Sequence, residues 1–214
     1  MRQWLTQAFQ KFTQISIPQA AMLLAMLILA VLLSAMRGRK PWNTKMLTAA
    51  SLSIALSFIL SMIRLFRMPQ GGSVTPACML PLILFSYAYG AAPGICAGAV
   101  YGLLQFLNAG QFISVWSFLL DYPAAYAMAG LAGLFKGMGK RPAGLLLAVI
   151  TVCFGRLLAS VLSGILFYAE YAAGTGMSPL IYSFWYNGSY MLPETAICIL
   201  IGLLAGPKLL RAVK

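Results

Sequence analysis

An aspartate lies inside an apolar run that is long enough to cross a lipid bilayer, and this feature limits what the chain can fold into more than any other. The run is SVWSFLLDYPAAYAMAGLAGLF, residues 114–135, and Asp121 is the only aspartate in the sequence. A carboxylate at the centre of a membrane helix costs about 2.5 to 3.5 kcal/mol on insertion scales, so such groups face a bundle interior or a wet cavity. Asp121 is therefore predicted to belong to a functional site.

Tyr122 and Pro123 follow the aspartate directly. Proline has no N–H to donate to the carbonyl of Leu119, which predicts a bend and a free backbone acceptor beside the carboxylate. The acid, the phenol and this carbonyl together indicate a polar pocket. The same residues also allow a structural alternative, in which Asp121 pairs with Arg156.

The composition identifies an integral membrane protein. The chain is 61% hydrophobic and 8% charged, with a mean hydropathy of +0.87, whereas ordinary soluble domains are about 25% charged. The net charge of +12 comes from short basic clusters between apolar runs, a pattern that reports membrane topology and argues against nucleic-acid binding. The chain contains no histidine, and its four cysteines show no paired metal-ligand spacing. These features predict no metal site, no cofactor and no catalytic nucleophile pair.

Seven apolar segments are predicted to span the membrane, and a basic linker, RGRKPWNTK, separates the first from the others. The chain therefore divides into residues 1–45, with a mildly amphipathic start, an additional helix and the linker, and residues 46–214, a six-helix domain. Ten of the fifteen basic residues fall on one side of this arrangement, which predicts a cytoplasmic C-terminus. The segments are 17–36, 46–66, 77–89, a glycine-rich helix that begins at Gly90, 114–135, 143–171 and 186–205.

Small residues follow two stripes of the helix predicted over 46–66 and one stripe of the glycine-rich helix. Such residues allow close approach of another helix. The stripe Ala49, Ser53, Ser57 and Ser61 indicates either packing inside the bundle or docking of a separate membrane subunit, and Ser51 and Ala55 form the neighbouring stripe. The series Gly90, Gly94, Gly98 and Gly102 favours plain helix packing. The loop RMPQGGSVTP, residues 67–76, is predicted to lie outside as a lid.

Polar and aromatic side chains recur at the predicted depth of Asp121. A carboxylate ringed by aromatic side chains suits a flat, cationic ligand, because each ring adds about 0.5 to 2 kcal/mol of cation–π attraction. The alternative is an aromatic belt at the membrane interface. The residues concerned are Tyr101, Tyr122, Ser160, Gly164, Tyr168, Tyr182, Trp185 and Asn187.

Four stretches in this order resemble the thiamine-specific substrate-binding subunits, or S-components, of energy-coupling factor transporters. They are GGSVTPACMLPLILFSYAYGAAPGICAGAVYGLLQFL, LLDYPAAYAMAGLAGLF, RLLASVLSGILFY and GMSPLIYSFWYNGSYMLPE. The resemblance covers about residues 46 to 207. It implies an all-α, six-helix membrane bundle with one additional N-terminal helix, which binds thiamine or a related cation from outside. It also implies a membrane coupling subunit and two ATPase subunits as partners, with no catalysis by this chain.

Carried over residue by residue, the resemblance implies a substrate site and a docking stripe. The family often has glutamate at the place of Asp121, histidine at that of Ser160, and tryptophan at those of Tyr101 and Tyr168, so the site here is expected to be smaller or less strongly stacking. The implied docking stripe is Ser51 and Ala55. The implied substrate site is Asp121, Tyr122, Tyr101, Ser160, Gly164, Tyr168, Tyr182 and Asn187.

Two other classes of protein compete with the transport subunit. An intramembrane enzyme would use Asp121 with Glu194 as an acid pair, but these residues lie on separate predicted helices and share no motif. A membrane scaffold or assembly protein would bind no small ligand. Ligand binding by the purified protein separates the three, since the subunit binds without conversion, the enzyme converts and the scaffold does neither.

Overall fold

The computed structural model describes residues 42–109, 113–139 and 141–213, and the additional helix predicted over 17–36 lies outside this part of the chain. The described residues form six helices and one two-stranded hairpin. By length and composition, α1, α4, α5 and α6 are able to span a membrane, which confirms the predicted all-α membrane bundle. The elements are α1 (Thr44–Met62), β1 (Phe66–Arg67), β2 (Ser73–Val74), α2 (Leu80–Tyr89), α3 (Ala91–Ala109), α4 (Val115–Met138), α5 (Pro142–Phe167) and α6 (Pro179–Val213).

Helix α2 is the centre of the bundle. Its side chains at Leu82, Ile83 and Phe85 are fully buried, and its neighbours are α1, α3, α4, α5 and α6. A helix that is apolar on every face is stable only when other elements surround it. The short α2 therefore organises the longer helices around itself.

Helix α1 presents its two small-residue stripes to different surroundings. The Asn43 side chain caps the helix by accepting a hydrogen bond from the Met46 N–H at 2.8 Å, which satisfies one of the free amides of the first turn. Ser53, Ser57 and Ser61 are buried inside the bundle, whereas Ser51 and Ala55 are exposed on the outer surface. The first stripe thus packs within the bundle, and the second remains available to a partner.

Glycines of α3 let that helix pack almost in contact with α4. A Cβ atom added at Gly98 would lie 2.2 Å from the carbonyl oxygen of Tyr126, and one added at Gly102 would lie 2.4 Å from that of Tyr122. No side chain fits at such distances, so the predicted packing role is confirmed for Gly98 and Gly102. It is wrong for Gly90, which ends α2 and has open space beside it. The contact fixes the depth of α4 relative to α3.

Helix α4 departs from regular α-helical geometry at the aspartate. Ser114 and Ser117 form a capping box at its start, and Leu120–Ala124, which includes Pro123, is a π-helical turn. Wide turns of this kind are common at functional sites. The irregularity predicted from Pro123 is confirmed, and it falls on Asp121 itself.

Helices α5 and α6 are joined by residues 168–178. Helix α5 ends at Phe167 and a 3₁₀ turn covers Ala169–Ala172, so the predicted end at residue 171 is four residues late. Helix α6 begins at Pro179, and the predicted start near Tyr186 is wrong. Proline is well suited to the first helical position because its missing N–H would be unpaired there in any case. As a result, residues 182 to 194 all lie on one helix.

Candidate ligand-binding cavity

A cavity of about 180 Å³ lies where the lid loop covers the ends of five helices. Its wall comes from the end of α1, the loop 70–75, α3, α4, α5 and α6. Seven of the eight residues predicted for the substrate site line this cavity. They are Asp121, Tyr122, Ser160, Gly164, Tyr168, Tyr182 and Asn187.

Asp121 has a phenol as its partner rather than a basic side chain. The Tyr168 hydroxyl donates a hydrogen bond to Asp121 Oδ2 at 3.2 Å. Within the described residues, the single ion pair joins Arg156 to Glu194, so the alternative pairing of Asp121 with Arg156 is wrong. Arg64 also contributes to the cavity wall, from the loop after α1, but it forms no ion pair with Asp121. The Asp121 carboxylate is therefore available to a cation.

A second carboxylate, Glu194, is fully engaged by protein groups. Arg156 donates to Glu194 Oε2 at 3.3 Å, while the Thr75 hydroxyl and the Cys78 thiol contact Oε1 at 2.7 and 3.0 Å. Arg156 also donates to the Tyr126 hydroxyl at 3.1 Å and lies 4.6 Å from the centre of that ring. Since the ion pair is internally satisfied, it connects the base of the lid loop to α5 and α6.

Aromatic rings line the cavity in stacked pairs. Tyr168 stacks on Tyr171 with 5.9 Å between ring centres, and Tyr182 stacks on Tyr186 with 6.3 Å between them. Tyr122 packs edge-on against Phe106 at 5.2 Å. All four tyrosines of the two stacked pairs line the cavity, so their faces and edges are placed to contact a flat ligand.

Two tyrosines of α6 hold the lid loop in place. The backbone N–H groups of Gln70 and Gly72 donate to the Tyr186 hydroxyl at 3.2 and 3.3 Å. The Gln70 side-chain amide contacts the Tyr182 hydroxyl at 2.8 Å. A Cβ atom at Gly72 would lie 2.6 Å from the Tyr190 ring, so glycine allows the loop to rest directly on that ring. The loop thus covers the cavity through a few polar contacts at its tip.

Asn187 and Gly164 serve helix packing as well as the cavity wall. Asn187 Nδ2 donates to the carbonyl oxygen of Ser183 at 2.9 Å, and its Oδ1 accepts from the Tyr190 hydroxyl at 2.8 Å. A Cβ atom at Gly164 would lie 2.0 Å from Ser183 Oγ. Much of the Asn187 amide is thus used inside the protein, which leaves it less free for a ligand than the sequence pattern suggests.

Tyr101, the eighth predicted residue, lies behind the wall instead of in it. It is fully buried, and its ring packs edge-on against Tyr126 with 4.9 Å between centres. Its hydroxyl donates to the carbonyl oxygen of Ser57 at 3.3 Å and accepts from the side chain of Gln105, which does line the cavity. Position along α3 predicts depth but does not distinguish a lining residue from one behind it.

Several lining residues were not predicted from the sequence, among them Tyr186 and Tyr190, although a signal for them exists. Together with the predicted Tyr182 and with Glu194, they recur every fourth residue and therefore share one face of α6. The late predicted start of this helix concealed the series. Trp185, which the sequence grouped with these residues, is 69% exposed and faces away from the cavity.

Residues 47–213 match the sequence model of the family described as thiamine transporter protein (Thia_YuaJ). The chain belongs to this family. The family consists of transporters, in agreement with the prediction that this chain is not an enzyme. The four long apolar helices of the chain make the protein a multi-pass membrane protein.

Relatives in this thiamine transporter family are found in sequence and in structure. The chain is 35% identical over 161 residues to the thiamine transporter ThiT of Bacillus subtilis (strain 168), covering 69% of this chain and 83% of that protein. It is 24% identical over 141 residues to ThiT of Lacticaseibacillus paracasei, covering 58% and 68%. The fold matches ThiT from Listeria monocytogenes with a TM-score of 0.68 at 22% identity, covering 77% of this chain and 96% of that one.

Proposed function

We propose that this protein is the substrate-binding subunit of an energy-coupling factor transporter, and that it binds thiamine or a closely related cation without converting it. In this proposal, residues 46–214 form the substrate-binding domain. Residues 1–45 form a separate N-terminal part with the additional helix and the basic linker. Membership of the thiamine transporter protein family supports the substrate class. The names of the relatives support thiamine in particular.

The observation that carries the proposal is the contrast between the two carboxylates of the cavity. Glu194 is neutralised by Arg156, whereas Asp121 accepts a hydrogen bond from the Tyr168 hydroxyl and forms no ion pair with any basic side chain of the described residues. A carboxylate held among tyrosine rings attracts a cation through charge and through the ring faces together. Thiamine combines a positive charge with two flat rings, and so it matches both features.

The placement of charge supports one orientation in the membrane, which is part of the proposal. The cavity lies at the lid end of the bundle, and the loop between α4 and α5 and the end of α6 lie at the opposite end. The positive-inside rule favours a cytoplasmic location for that second end, with its basic residues. A reporter fused after residue 214 is expected to read as cytoplasmic and one inserted at 71–72 as external. Readings of the opposite kind would reverse the proposed direction of uptake.

The coupling partner is proposed to dock on α1. Ser51 and Ala55 lie on its exposed surface, and the Ser51 hydroxyl donates to the carbonyl oxygen of Leu47 at 3.0 Å. With its polar atom already satisfied, the stripe presents a small and effectively apolar surface that lets a partner helix approach closely. This contact would connect the binding subunit to an ATPase-powered module.

Titration calorimetry on the purified protein tests the proposal. Thiamine should bind with a stoichiometry near one and be recovered unchanged, while a neutral isostere that carries an uncharged ring in place of the thiazolium should bind at least about tenfold more weakly, which corresponds to about 1.4 kcal/mol. The separate pyrimidine and thiazolium halves serve as further controls. Absence of thiamine binding, or equal affinity for the neutral isostere, would refute the proposed role.

A further inference from the structure

Gln105 of α3 lies in the cavity wall, and buried groups hold its side-chain amide from behind. The amide contacts the phenol oxygen of Tyr101, and the Tyr101 hydroxyl contacts the backbone carbonyl oxygen of Ser57 at 3.3 Å. Tyr101 is fully buried, and Gln105 is 7% exposed. Behind the wall, these three residues therefore form a short chain of hydrogen bonds that ends in the cavity.

The direction of each hydrogen bond in this chain is fixed by chemistry. A backbone carbonyl only accepts, so the single hydroxyl proton of Tyr101 goes to Ser57. The Tyr101 oxygen can then only accept from Gln105, which must present its NH₂ group to the phenol. Because the two polar atoms of an amide lie on opposite sides of its carbon, Gln105 Oε1 faces away from Tyr101.

Gln105 Oε1 is an acceptor without a protein partner in the part of the chain that the structure describes. It has no partner and yet is not among the fully enclosed polar atoms without one, so it retains accessible surface. Gln105 lines the cavity, and so its accessible oxygen opens there. An acceptor in a nearly enclosed wall is best satisfied by a donor that enters the cavity.

We propose that Gln105 Oε1 accepts a hydrogen bond from an N–H or O–H group of the ligand, and that Tyr101 is a positioning residue that keeps this oxygen turned toward the cavity. This inference rests on the proposed function, since it requires a small ligand in this cavity. It adds a second element of recognition to the charge of Asp121. Asp121 selects for a cation, whereas Gln105 selects for a donor at a fixed place on that cation.

The proposal has a direct consequence for ligand selectivity. Thiamine carries two neutral donor groups, the amine on its pyrimidine ring and the hydroxyl on its side chain. A site built to accept from a donor discriminates strongly against an analogue that lacks it, because the buried acceptor is then left unpaired. One of the two groups is therefore expected to matter more than the other, and Gln105 is expected to be the reason.

The test measures three ligands on four proteins by calorimetry. The ligands are thiamine, an analogue with hydrogen in place of the amine and an analogue with hydrogen in place of the hydroxyl. The proteins are wild type, Gln105→Met, Tyr101→Phe and a control, Tyr87→Phe. The control removes another buried hydroxyl, which has no hydrogen-bond partner in the described structure and lies outside the cavity wall.

Wild type should bind one of the two analogues about tenfold more weakly than thiamine, as loss of one hydrogen bond implies. In Gln105→Met, the ratio of the thiamine affinity to the affinity for this analogue should fall to near one. The corresponding ratio for the other analogue should stay unchanged. Tyr101→Phe should narrow the same ratio part of the way, because the amide is then free to turn. Tyr87→Phe should keep the wild-type ratios.

Each other result has a distinct meaning. If wild type binds thiamine but Gln105→Met leaves both analogue ratios unchanged, the assignment of Gln105 is overturned. If Tyr101→Phe weakens all three ligands equally, Tyr101 acts only on the fold and its positioning role is overturned. If wild type binds none of the ligands, the proposed function itself fails. Gln105→Asn, whose shorter amide cannot reach Tyr101 in the same position, repeats the test should Gln105→Met not fold.

Discussion

Replacing Asp121 with asparagine separates a binding role from a structural one. Asp121→Asn keeps the size of the side chain and keeps an oxygen that can accept a hydrogen bond from the Tyr168 hydroxyl. In the wild-type structure this hydroxyl lies 3.2 Å from Asp121 Oδ2. It removes the negative charge of Asp121, which forms no ion pair with a basic residue in the described part of the chain. The substitution should therefore change ligand affinity much more than stability.

The expected magnitude follows from the kind of contact that is lost. A charge-assisted interaction in a largely enclosed site is worth about 2 to 4 kcal/mol, so the thiamine affinity should fall by about thirtyfold to about a thousandfold. The melting temperature of the ligand-free protein should not fall, because the partner of Asp121 is a neutral hydroxyl and the substitution removes a charge that has no countercharge in the empty cavity. Affinity by calorimetry and melting temperature should be measured on the same sample.

Glu170→Gln is a matched control, because it removes an exposed acid from the turn after α5 and leaves the cavity wall intact. It should retain wild-type affinity, which would show that the effect of Asp121→Asn is local rather than a general loss of negative charge. Near-normal affinity of Asp121→Asn together with a collapsed melting temperature would refute the reasoning. That pattern would make Asp121 a structural residue.

Other substitutions test the remaining parts of the structure. Ser51→Leu with Ala55→Leu should abolish thiamine uptake in cells and leave binding by the isolated protein intact; loss of binding would place the stripe inside the fold instead. Tyr186→Phe removes the hydroxyl that holds two lid amides, so the ligand dissociation rate in stopped-flow measurements should rise about tenfold for about 1.4 kcal/mol of lost contact; an unchanged rate would exclude a lid role. Glu194→Gln should lower the free energy of unfolding by about 3 to 5 kcal/mol, because Arg156 is left buried without its charged partner. An unchanged melting temperature would contradict a stabilising role of this ion pair.

Local chemistry explains why much of the site was predictable. Asp121 stands out in any apolar sequence, and the π-helical turn follows from the nearby Pro123. Ser160 and Gly164 lie four residues apart on one face of α5, and Tyr168 follows at the same spacing as the residue that caps the end of this helix. A pattern within one helix is enough to predict each of these features.

The remaining features depend on contacts between distant parts of the chain. The Arg156 and Glu194 pair joins α5 to α6, and nothing in either helix alone favours it over a pair with Asp121. Tyr101 lies on the predicted helix at the predicted depth, but only the packing of α1 and α4 decides that it is covered. Helical periodicity gives a face and a depth, and it does not show which neighbour covers that face.

The fold gives opposite roles to two carboxylates of similar intrinsic chemistry. Glu194 receives a guanidinium, a hydroxyl and a thiol, so its charge stabilises the junction of lid base, α5 and α6. Asp121 receives one phenol and lies where α4 is π-helical. A buried charge that the protein leaves without a countercharge is costly, and this cost falls when a cation enters. The same arrangement that makes Asp121 expensive in the empty cavity therefore favours a cationic ligand over a neutral one of the same shape.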